Sequence, residues 1–109
     1  MTTFTFFTEG ARITGFQVEG HSGYAEAGVD IVCAAVTSAV RLVETTVCDV
    51  FGIAAKVKVR ESSDSVSLRL PGGLTEADEH AAQGILSGLM LYFAQLHDEY
   101  PDHVEVMEA

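Results

Sequence analysis

Between residues 31 and 50, apolar side chains recur every three or four positions: Ile31, Val32, Ala35, Val36, Ala39, Val40, Val43, Val47 and Val50. This spacing predicts a helix that is apolar around much of its circumference, so it belongs at the centre of a core rather than on a surface. Such a helix needs covering, and its flanks supply strands. "TTFTFF" alternates Thr3, Phe4, Thr5 and Phe6, which places the phenylalanines on one face. "RITGFQVEG" places Ile13, Phe16 and Val18 in a second strand, and a change of phase near Gly15 predicts a bulge. After the helix, with Gly52 as its cap, Ala55, Val57 and Val59 alternate against Lys56, Lys58 and Arg60. One face is expected in the core and one in solvent. Beyond the turn "ESSDS", Val66, Leu68 and Leu70 repeat the alternation and complete a second hairpin. Thr75 and Asp78 resemble a capping box. The helix they open sets Ala82, Ile85, Leu89, Tyr92, Phe93 and Leu96 on one face, and Pro101 closes it. "HVEVME" predicts a short last strand. The order β-β-α-β-β-α predicts an α+β fold, a largely antiparallel sheet carrying two helices.

At 109 residues and 48% apolar, the chain is expected to form a single domain spanning 1–109. Six basic and sixteen acidic residues give a net charge of −10. That balance predicts no direct nucleic-acid partner. It suits either attraction of a basic partner or simple solubility. No uninterrupted apolar run approaches the ~20 residues of a membrane span, and "MTTFTFFTEG" lacks a signal-peptide pattern. The expected location is the cytoplasm, with no membrane partner. Neither Cys33 nor Cys48 lies in a C-x-x-C pair, and His21, His80, His97 and His103 are scattered. No metal and no cofactor are expected.

The stretch "GHSGYAEAGVDIVCAAV" sets a glycine-spaced polar segment against the start of the apolar helix. Asp30 suits an N-cap. Cys33 would then occupy the third helical position, where unpaired N–H groups and the helix dipole favour thiolate. The competing reading is that Cys33 is simply a buried core residue. His21 sits beside Gly20, Ser22 and Gly23, in a segment able to fold back on the helix start. There it could take the thiol proton and return it to a leaving amine. The bland reading is a solvated loop histidine. Asp30 could alternatively orient that histidine. Tyr24 could line a substrate channel or anchor the loop. The segment from Gly20 to Gly28 is expected to be a mobile loop. Cys48 reads as structural, His97 as favourable near a helix end, and His80 and His103 as surface residues.

This stretch resembles the ribosomal-processing cysteine protease family, small proteins called Prp. The pattern is Gly20-His21, then Gly23, then Asp30-Ile31-Val32-Cys33, and the late "EYPDHVEV" is similar to the family's C-terminal segment. The resemblance implies a cysteine endopeptidase with a His21/Cys33 dyad and a substrate loop that includes Gly20, Ser22, Gly23, Tyr24 and Gly28. It implies a substrate as well: the short N-terminal extension of a large-subunit ribosomal protein, cut after a pair of aromatic residues. It further implies a homodimer. The alternative is a non-enzymatic, acidic, ribosome-associated module that holds a basic ribosomal protein.

Overall fold

The structure, a computed structural model, describes residues 1–20 and 27–109, without the side chains of residues 27–30 and 63. Strands β1 (Thr2–Glu9) and β2 (Arg12–Glu19) form the first hairpin. Helix α1 (Ala27–Thr45) runs into a widened π-type turn, Thr46–Val50. Strands β3 (Lys56–Arg60) and β4 (Ser65–Arg69) form the second hairpin, followed by helix α2 (Glu76–Glu99) and strand β5 (Val104–Glu108). The sheet order is β3-β4-β2-β1-β5, with β5 parallel to β1 and every other pair antiparallel. The expected α+β architecture and the short last strand are both present.

Alternation decides which sheet face is covered. Phe4, Phe6, Phe16, Leu68 and Val104 are fully buried, in one cluster with Val32, Val36, Val40, Val43 and Val47 of α1 and Ala82, Leu86, Leu89, Phe93 and Leu96 of α2. Both helices therefore pack on that face. The opposite face carries Thr3, Thr5, Gln17, Ser67 and Lys58.

The bulge lies where the register slips. Phe7 pairs with Gly15 and Thr8 with Ile13, which leaves Thr14 as the extra residue. Gly15 is required here because a Cβ would strike the Leu68 carbonyl oxygen. Next to the bulge, Ile13 turns its backbone to α2: its N–H donates to Gln83 Oε1 and its carbonyl accepts from Gln83 Nε2, both at 2.8 Å. Arg12 beside it donates to Glu79 Oε1 at 2.6 Å and to the Pro71 carbonyl at 3.1 Å. Thr75 caps α2 by accepting from the Asp78 N–H at 3.1 Å. His97 near the other end donates from Nδ1 to the Val104 carbonyl at 2.6 Å, tying α2 to β5.

Four expectations need correction. The first is the start of α1. It begins at Ala27, so Asp30 lies inside the helix and is not its N-cap, and Gly28 is helical rather than loop. One interior glycine costs only ~1 kcal/mol against alanine, too little to stop a helix whose next residues pack in the core. The second is β3. Val57 is half-buried and Val59 is 66% exposed, because β3 is an edge strand beyond the cover of the helices. The third is the inner face of α2, which buries Leu86, absent from the expected set, and leaves Tyr92 38% exposed, while Ile85 packs partly buried against the core. The fourth concerns hydropathy. Ile31–Val50 is, by length and composition, apolar enough to cross a membrane. Counting uninterrupted runs missed this, because single polar residues such as Thr37 and Arg41 break the run without lowering the average much. Its five inward valines face the sheet, each at most 6% exposed, as in the core helix of a globular fold.

Candidate active site

The segment that joins β2 to α1 begins at Gly20, whose φ of +78° is left-handed and whose Cβ would strike the Met1 carbonyl. A side chain there is excluded twice. His21, Ser22, Gly23 and Tyr24 follow immediately and lie outside the described residues, as does most of the expected mobile loop. Of the remaining candidates, Gly28 and Asp30 belong to the backbone of α1, and Cys33 stands on it with a half-buried side chain.

With the helix starting at Ala27, Cys33 is its seventh residue, not its third. It sits ~9 Å along the axis, in the second turn. The dipole acts mainly within the first turn, so the helix N-terminus does little to activate this thiol.

The angular position of Cys33 is informative. At ~100° per residue, the inward valines cluster roughly 60° to one side of Cys33. Leu42, nine residues on, lies about 180° around. An apolar groove of about 460 Å³ between the helices is lined by Ala35, Ser38, Leu42, Ile85, Gly88 and Tyr92. That groove opens on the side of α1 away from Cys33. Cys33, Thr37 and Glu44 share the other flank, within ~40° of one another. The thiol thus faces a different surface from the apolar groove between the helices.

Cys48, in the π-type turn, is also half-buried. Burial pushes its thiol pKa up, and the nearby carboxylates of Asp49 and Glu44 push it further. It is held protonated, as expected of a structural thiol. Among the described residues, no three His, Cys, Asp or Glu side chains gather as a metal site.

The described residues form a five-stranded α+β sheet whose core helix carries Cys33 on its flank. The sequence profile of the cysteine protease Prp family matches residues 1–105. The chain belongs to that family, and it is a cysteine protease. It is 27% identical over 94 residues to the ribosomal processing cysteine protease Prp of Bacillus subtilis, covering 86% of this chain and 84% of that one. The fold superposes on the essential ribosomal processing protease Prp of Staphylococcus aureus, solved in complex with a substrate peptide, with a TM-score of 0.85, 16% identity and full coverage of both chains. The Streptococcus mutans protein SMU.848 gives a TM-score of 0.85 at 21% identity, covering 100% of this chain and 96% of that one.

Proposed function

We propose that Cys33 and His21 form the catalytic dyad of a ribosomal-processing endopeptidase, and that the whole chain, 1–109, works as one protease domain. The observation that carries this reading is the half-buried Cys33 on the flank of α1, in a chain of the Prp family. His21 removes the Cys33 proton. The Cys33 Sγ attacks the scissile carbonyl and forms a thioester, and His21 passes the proton to the departing amine. Water then attacks the thioester, releasing the acid and restoring the thiol. Six residues join Gly20 to Ala27, and His21 is the first of them, directly after the end of β2. Gly20, Ser22, Gly23, Tyr24 and Gly28 form the substrate segment, and Asp30 supports the histidine.

The substrate in this proposal is the N-terminal extension of a large-subunit ribosomal protein, cut in the cytoplasm after a pair of aromatic residues. The names of the relatives and the acidic charge of the chain both suit a basic ribosomal substrate. The peptide lies along the Cys33 flank, leaving the groove between the helices free. A homodimer forms through that groove, whose exposed Leu42 and Tyr92 suit self-association.

The test is a synthetic peptide spanning the extension and the first mature residues, incubated with the protein and analysed by mass spectrometry. Cleavage at one bond after the aromatic pair, lost in Cys33→Ser and in His21→Ala, is the expected result. A cleaving His21→Ala variant removes the dyad, and an uncut peptide removes the substrate assignment. Leu42→Glu is expected to turn the dimer into a monomer in light scattering; an unaffected dimer places the interface elsewhere.

A further inference from the structure

The chain has only six basic residues, and four of them, Lys56, Lys58, Arg60 and Arg69, line one groove on the open face of the sheet. The groove, about 370 Å³, also takes in Ser67 and Gln17. Strand alternation makes this geometry. Lys56, Lys58 and Arg60 point the same way from β3, about 6.7 Å apart along the strand. Lys56 lies opposite Arg69 in the ladder, and Lys58 lies opposite Ser67. Arg69 reaches over Gly15, its partner on β2, to the ring of Phe7, with the guanidinium carbon 4.7 Å from the ring centre. Among the described residues, none of the four cations is in a salt bridge; the Arg12–Glu79 pair lies elsewhere.

We propose that this face binds the phosphate backbone of a single RNA strand. The inference does not depend on the protease reading, since the helices and Cys33 occupy the other side of the sheet. The regular row of cations along β3 has a spacing comparable to that of successive phosphates on an extended strand. Ser67 and Gln17 add hydrogen-bonding groups suited to ribose hydroxyls. A protein partner would need apolar anchors; the groove offers one ring, Phe7, already covered by Arg69, and the exposed Met107 lies away at the β5 edge of the face.

The net charge of −10 does not prevent this binding. Glu105, on the same face at the far edge, is about 19 Å from β3, roughly two Debye lengths at physiological salt. Glu19, which accepts from Gln17 Nε2 at 3.4 Å, marks one margin of the groove, and Glu61 and Asp64 mark the turn at the end of β3. Cations on an edge strand also discourage edge-to-edge pairing, but that role does not place Arg69 on the inner strand β4.

The experiment is fluorescence anisotropy of a labelled 12-nucleotide single-stranded RNA with the full chain. Saturable binding at 50 mM NaCl is expected. With four phosphates neutralised, affinity should fall about twentyfold between 50 and 150 mM NaCl. Lys58→Glu/Arg60→Glu should weaken binding more than tenfold and lower the salt dependence, while Arg41→Glu on the exposed side of α1 changes it less than twofold. Lys58→Gln/Arg60→Gln, checked by circular dichroism, gives the same reading if charge reversal unfolds the edge. Absence of saturable binding overturns the proposal. So does equal loss on Arg41→Glu, or displacement of RNA by polyglutamate at equal concentration, which would mark a site for acidic protein segments.

Discussion

The two thiols separate at the level of single residues. Cys48 is kept protonated by burial, with Asp49 and Glu44 adding to the effect, while Cys33 stands on the flank that the dyad proposal places under His21. At pH 7, iodoacetamide is expected to label Cys33 first, and His21→Ala should slow that labelling because the helix dipole alone is too distant to compensate. Equal rates for the two cysteines by peptide mapping would count against the assignment. Cys48→Ala should stay folded and keep its peptidase activity. Glu44 allows a test with a definite sign. Burial raises its carboxyl pKa, and Arg41 offsets only part of that. A raised folded pKa means the folded state favours the proton. The contribution to stability is therefore full below the unfolded carboxylate value and is lost as pH rises through the folded one. Glu44→Gln is expected to raise the melting temperature at pH 7 and to leave it unchanged near pH 3. The gain should be modest, since the carboxylate is only partly buried.

Between elements, the most informative contact joins α2 to the β2 bulge. Gln83 satisfies both backbone groups of Ile13, and Gln83→Ala strands them in a partly buried position. The expected loss is about 1–3 kcal/mol in urea unfolding; a loss near zero would mean that water replaces the amide. Gly15→Ala drives a methyl against the Leu68 carbonyl and should cost a similar amount, about 1–3 kcal/mol. The elements themselves were legible because alternation and the valine row are local patterns. Thr3 to Phe6 and Val32 to Val47 each declare a period without reference to the rest of the chain. The start of α1 was not legible, since Ala27-Gly28-Val29 carries no period and Asp30 mimics a cap. The exposure of Val59 depends on β3 being an edge, which is a property of strand order and not of "KVKVR". The Gln83–Ile13 pair spans 70 residues and leaves no local trace.

Across the whole molecule, charge is segregated: four of six cations share the open sheet face, and acidic residues dominate elsewhere. The Gly20-His21 and Asp30–Cys33 motifs pointed to the candidate site from sequence alone. The sequence showed Lys56, Lys58 and Arg60 on one strand face, but not that Arg69 joins them from β4 to complete the cationic face. If the acidic remainder steers a basic substrate, kcat/KM should fall as salt rises, and a peptide with its basic residues neutralised should lose that dependence. Matching salt curves for both peptides would confine the acidity to solubility. The central claim is that peptide chemistry occurs at Cys33, on the flank of α1 opposite the groove between the helices. Its most direct test is a peptide matching the extension up to the cut and ending in an electrophilic ketone, followed by mass spectrometry of the labelled protein. A single adduct on Cys33, with Cys48 unmodified and no adduct in Cys33→Ser, is the predicted result. An adduct on Cys48, or unchanged labelling of the Cys33→Ser protein, would contradict it.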